Sequence, residues 1–328
     1  LLGNLGVLSR ENFVVLLQLW PLLLILVGLD VLFGRRAPVL GALIGIGTIA
    51  LVIFLMIVGP SLGLDEGAET KTDFFSEPIG EATAARMELD LSSGPTQINA
   101  LSDSGNLIEA ELAYTGRIAF DVQGEREKTV RLAQRDSGDW FFFDWFGSKE
   151  QRWDIDLSPT VPLELRVDIG SGSAALNLDA LRLRRLEIDG GSGSVEGELP
   201  GAEEPYQVQI DGSSGSVTLR LPEGSDVDME IGMSSGSVKI EIGERADVNL
   251  RVRDGSSGKL IIDAPDDAAV WVDVRDDGSG RIRVPSRFER TRRGDDDEGT
   301  WETPGFGNAD YRIEISVDDM GSGDIEVR

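Results

Sequence analysis

Seven times after residue 165 the sequence returns to one short phrase. It reads VDIGSGSAALNL, IDGGSGSVEGEL, IDGSSGSVTLRL, IGMSSGSVKIEI, VRDGSSGKLIID, VRDDGSGRIRV and VDDMGSGDIEVR. The central glycines are Gly172, Gly193, Gly215, Gly236, Gly258, Gly280 and Gly323. The first six are spaced by 21, 22, 21, 22 and 22 residues, and the last follows after 43, two periods. A ligand loop is built once, whereas a fixed period in the twenties marks stacked supersecondary units. Apolar residues tend to stand two, four and six places after the glycine, as in Val217, Leu219, Leu221 and Val238, Ile240, Ile242. The same alternation precedes it, as in Val208, Ile210 and Val227, Met229, Ile231. Period-two alternation is a strand with one buried face, so each unit reads as strand, small-residue corner, strand.

An antiparallel meander and a parallel coil both satisfy this pattern, and the near-constant period favours the coil. The expected fold is mainly β: a single-stranded parallel β-helix of 21–22 residues per turn, in which one corner recurs directly above the last. Glycine at that corner permits left-handed or extended backbone, and serine bonds the local backbone without bulk. The ends are less regular. Met87, Leu89 and Leu91 lead into an opening corner at Gly94, but Gly172 lies 78 residues on, no whole multiple of the period. The interruption is Asp139 to Trp153, DWFFFDWFGSKEQRW, between strand-like segments at Lys128–Ala133 and Trp153–Leu157. A second, Arg287 to Asp310, replaces one turn with a charged, glycine-bearing loop. The solenoid is thus expected over 86–328, with insertions near 139–153 and 287–310, after a linker at 60–85. Trp140, Phe141, Phe142, Phe143, Trp145 and Phe146 cannot all point into a narrow coil. They read either as a hydrophobic flap over the coil or as a contact for a partner or a membrane surface.

Residues 1–59 form a different region. Val14–Phe33 and Val39–Val58 are each twenty residues long and almost wholly apolar, the length that crosses a bilayer core as a helix. Arg35 and Arg36 lie in the short turn between them, which places that turn in the cytosol and everything after Val58 outside. Asp30 lies near enough to those arginines to pair at the interface. Gly41 and Gly45 permit close helix packing, within the hairpin or across a homo-oligomer. The chain opens on LLGNLGVL, which reads as the tail of another hydrophobic helix and predicts residues upstream. Charged residues before position 59 sum to +1 against −27 for the chain, so residues 59–328 carry −28.

That acidity excludes a nucleic-acid partner, whose backbone demands a basic surface. The chain has no cysteine and no histidine, which removes thiol nucleophiles, imidazole bases and most zinc or haem ligation. There is no phosphate-loop signature and no GxGxxG opening a helix. Ser256 and Lys259 form an SxxK without its usual companions. Asp189, Asp211, Asp254 and Asp276 recur at one offset before the corner, which leaves calcium open through acidic ladders, although the nine-residue calcium-solenoid motif is absent. No enzyme and no cofactor is expected.

WPLLLILVGLDVLFGRR, preceded by LLGNLGVLS, resembles the membrane region of LiaI/LiaF-like bacterial envelope proteins, and FSEPIGEATAARMELDLSSGPTQI resembles the start of their external domain. The GSGSV repeats and TPGFGNADYRIEISVDDMGSGDIEVR resemble the related "toastrack" or "putative adhesin" β-solenoid. The resemblance implies a β-helix anchored in the bacterial cytoplasmic membrane with its β domain extracytoplasmic. For LiaF-like members it implies modulation of an envelope-stress sensor kinase. The expected function is therefore a non-enzymatic envelope sensor, regulator or scaffold working through other envelope or membrane proteins. The alternative is an adhesin or structural subunit of a surface assembly.

Overall fold

Alternating sequence becomes alternating burial in the regular turns of the computed structural model. It describes residues 24, 28, 46–51, 53, 54, 70–91, 94–102, 105–135, 151–201, 204–276, 278–294 and 298–328. The first strands are β1 (Lys71–Pro78), β2 (Ala84–Leu91), β3 (Pro95–Ala100), β4 (Asn106–Tyr114), β5 (Arg117–Gln123), β6 (Glu127–Arg135) and β7 (Arg152–Leu157). Five regular turns follow. They are β8 (Leu163–Ile169) with β9 (Ser173–Asn177), β10 (Leu183–Gly190) with β11 (Ser194–Glu198), β12 (Tyr206–Gly212) with β13 (Ser216–Leu221), β14 (Asp226–Met233) with β15 (Ser237–Ile242), and β16 (Asp247–Asp254) with β17 (Lys259–Asp263). The chain ends in β18 (Val270–Val274), β19 (Arg281–Arg283), β20 (Glu289–Arg293), β21 (Gly299–Glu302), β22 (Ile313–Val317) and β23 (Asp324–Val327).

In every regular turn the strand before the corner joins one sheet and the strand after it joins the other, and neighbouring turns pair in parallel. Equivalent residues therefore stack: Ile188, Ile210, Ile231 and Val252 in one sheet, Val195, Val217, Val238 and Leu260 in the other. All eight are buried, and these two inward rows form the core between the sheets. The β-solenoid expected from the period is what the chain forms. Thr72–Arg135 and Gln151–Arg328 make one compact unit.

At both ends the order of turns departs from the expectation. β6 and β7 form a turn that lies in parallel outside β2 and β3, while β8 and β9 stack on the inner side of β2 and β3. The 78-residue gap is thus an excursion that adds a turn behind the first and then returns. Pairing is not parallel throughout: β4 runs antiparallel on β7, and β5 on β6. β1, within the stretch expected as a linker, continues the β4 edge of the eleven-stranded sheet. At the other end β22 lies between β16 and β18, and β23 between β17 and β19. The 287–310 stretch does not replace a turn with a loop. It contributes the antiparallel β20–β21 ribbon, laid on β18, from which the chain doubles back to insert its last turn.

The expected spans 14–33 and 39–58 and the turn with Arg35 and Arg36 lie almost wholly outside the described residues. Residues 24, 28, 46–51, 53 and 54 are helical. Among the described residues no helix is long and apolar enough to cross a membrane.

Candidate functional site

The corners assemble into a continuous surface feature. Stacking brings the corner glycines into a column in the spatial order Gly94, Gly172, Gly193, Gly215, Gly236, Gly258, Gly323, Gly280. A Cβ added at Gly172, Gly193, Gly215, Gly236, Gly280 or Gly323 would stand under 3.0 Å from the backbone of the adjacent turn. The glycines are required by close approach of stacked backbones. Left-handed geometry is not the reason, since of this column only Gly94 has positive φ, at 99°.

Corner amides are spent on that stacking. Ser194 N donates to Gly172 O (3.1 Å), Ser216 N to Gly193 O (3.0 Å), Ser237 N to Gly215 O (3.0 Å) and Lys259 N to Gly236 O (3.0 Å). These four amides, each just after a corner glycine, are thus engaged between turns. Side chains make the surface. Ser171, Ser192, Ser214, Ser235 and Ser257 run along one side of the glycines, and Ser173, Ser194, Ser216 and Ser237 along the other. All nine are exposed. They line an open groove of about 970 Å³ that extends from Gly94 and Pro95 to Lys259. Its chemistry is hydroxyl donors and acceptors repeated at the strand spacing, about 4.8 Å.

The outer face of the twelve-stranded sheet is charged and largely self-paired. Arg86 Nη2 meets Glu164 (2.6 Å), Arg185 Nε meets Glu187 (2.6 Å), and Arg253 bridges Asp211 (2.8 Å) and Glu230 (2.5 Å). One row on this face places four carboxylates side by side, with Asp211 at its end paired to Arg253. Asp90, Asp168, Asp189 and Asp211 stand in register on adjacent strands. Burial, then repulsion from Asp90, raises the Asp168 pKa. Burial, then repulsion from Asp168 and Asp211, raises that of Asp189. The aspartates grouped by sequence offset fall into two sets. Asp189 and Asp211 belong to this row, whereas Asp254 and Asp276 accept the backbone N–H groups of Ser256 and Gly278 at 2.8 and 2.9 Å and close the corner turns locally. Among the described residues no group of three or more carboxylates is arranged to hold a metal ion. In the SxxK pair, Lys259 Nζ lies 3.2 Å from Glu326, and Ser256 has left-handed backbone with φ 36°.

Trp140, Phe141, Phe142, Phe143, Trp145 and Phe146 lie outside the described residues. The turn they interrupt is described. Trp153, just after them, is fully buried, with no hydrogen-bond partner for its indole N–H among the described residues. Sequence reasoning missed the groove itself, although its signal, serine on both sides of each glycine at a constant period, was in plain view.

Residues 65–220 match the profile of the N-terminal domain of toast_rack, DUF2154. No curated protein matches the chain. Several solved structures resemble it, among them the following two. A "putative cell adhesion protein" from Clostridium sporogenes is 17% identical, with 79% of this chain and 99% of that one covered and a TM-score of 0.40. A "putative lipid binding protein" from Parabacteroides distasonis is 12% identical, with 79% and 98% covered and a TM-score of 0.33. The stack continues past the matched stretch in unbroken register from β13 to β15 and β17, so the stretch similar to that domain lies within a longer β-solenoid.

Proposed function

We propose that the protein is a membrane-anchored, non-enzymatic component of the bacterial envelope, acting as a sensor, regulator or scaffold by presenting its coil to another protein. The observation that carries this reading is the corner groove: amides along it bond the neighbouring turn, and its exposed hydroxyls repeat over several turns. Such a surface suits recognition by shape and hydrogen bonding. Two twenty-residue apolar stretches ahead of the coil support anchoring, and the LiaF-like resemblance supports an envelope-stress role beside a sensor kinase. A second reading, an adhesin or structural subunit, is favoured by the unpaired strand edges at β1, β5, β19 and β20 among the described residues.

The absence of cysteine makes topology testable. In intact cells, Ser194→Cys in the groove should react with a membrane-impermeant maleimide. Labelling that occurs after lysis alone would overturn the external placement. For the role itself, deletion should blunt the transcriptional response to cell-wall antibiotics. An unchanged response would leave the structural reading, which in turn fails if the detergent-extracted protein is strictly monomeric.

A further inference from the structure

The last turn of the chain is inserted between two turns made earlier. β22 pairs with β16 on one side and β18 on the other, and β23 with β17 and β19. Both walls of this slot come from residues 247–283, which precede in the chain the segment that fills it. The walls are equivalent to one another. Val248 and Val270 both register with Ile313, Leu250 and Val272 with Ile315, and Val252 and Val274 with Val317. Gly258 and Gly280 are also one ordinary period apart. Through the insert, the two walls match each other row for row.

Charge says what the slot accepts. Asp318, just after β22, clamps both walls, meeting Arg251 at 2.5 Å and Arg275 at 2.7 Å. Glu326 on β23 meets Lys259 at 3.2 Å, and Asp324 stands opposite Arg281 in register. The walls offer cations and the insert offers carboxylates. The connection into the insert, residues 303–312, contains a single short 3-10 turn, Phe306–Asn308, and a left-handed Gly305 with φ 86°. Its first residue is pinned through Thr303 Oγ1, which accepts the Val270 N–H at 2.9 Å.

We propose that the β22–β23 turn is exchangeable between copies of this chain: the slot takes residues 313–327 from its own chain or from a second copy, giving a strand-exchanged dimer. Released from the slot, Ile313, Ile315, Val317, Ile325 and Val327 must be reburied. The surface that matches both their register and their charges is the same slot in another copy. Residues 303–312 are the hinge. This inference is independent of the envelope role proposed above.

The test uses the full chain in detergent. Concentrated protein is held in mild denaturant and then diluted into buffer. The unmodified chain should acquire a species of doubled mass by light scattering, its fraction rising with concentration during the treatment. A strictly monomeric product overturns the proposal. Arg251→Cys and Ser316→Cys, opposite one another in register, identify the contact. Mixed single variants should form a disulfide heterodimer after this treatment and not before it, while the double variant closes within one chain. A dimer that lacks the 251–316 crosslink, or that crosslinks equally between Ser316→Cys and Thr218→Cys on the other sheet, also overturns it.

Discussion

Gly193 shows what a single residue contributes to this coil. Its α-carbon lies so close to the Gly172 carbonyl that any side chain would displace a neighbouring turn, so Gly193→Ala should destabilise the protein by about 3 kcal/mol, the scale of overpacking a core. Gly201, exposed and with 3.5 Å to its nearest neighbour, should tolerate alanine within about 0.5 kcal/mol. Urea midpoints of the two variants test the comparison, and equal losses would refute it. The aspartate row adds a pH dependence. Asp168 and Asp189 hold protons more readily folded than unfolded, so their ionisation opposes folding above their raised folded pKa values. That penalty is relieved as pH falls toward the ordinary carboxylate value. Asp189→Asn should therefore stabilise at pH 7, by less than about 1 kcal/mol because solvent screens the row, and the gain should disappear in acid. A gain that grows on acidification would contradict this. The need for glycine was legible in the sequence. Its cause, close approach instead of a left-handed turn, became visible when the turns were stacked.

Among the elements, β1 pairs with β4 at the sheet edge, and Lys128 holds its far end through Glu77 and the Pro78 carbonyl. Tyr114 on β4 donates to Asp73 Oδ2 at 2.5 Å. That hydrogen bond, followed by burial, pushes the phenol pKa up to about 12. Asp73→Asn should lower the pH at which this tyrosine ionises, read by ultraviolet titration against Tyr114→Phe, which removes the transition. An unchanged titration would mean that the contact does not hold in solution. β1 was read as linker because its own pattern is nearly all exposed. An edge strand buries little, and so little alternation is written into it. The regular strands are the opposite case: both neighbours and one face demand apolar residues at fixed places, and period two was unmistakable.

For the whole molecule, the out-of-order insert has a mechanical consequence. β18, β19 and the β20–β21 ribbon pair with the rest of the coil through β22 and β23. Ile315 is fully buried between Leu250 and Val272. Ile315→Asp leaves an unpaired charge there, at a cost of several kcal/mol. Hydrogen exchange should then show amides of residues 264–328 opening together, while those of 206–242 keep their protection. Uniform loss along the coil would show that the end turns are not a separable unit.

Period and alternation determined, without help from tertiary structure, that this chain coils, where it bends and which residues face inward, because each of those choices is made within one turn of about 22 residues. The order of turns at the ends was beyond their reach. Every turn offers the same inward row at the same offset from its corner, so any turn can stack on any other, and the local pattern does not distinguish the possible orders. The two antiparallel additions, β4 on β7 with β5 on β6 and the β20–β21 ribbon, accompany the order the molecule adopts. These features take their meaning from contacts across the stack, which the tertiary structure alone decides.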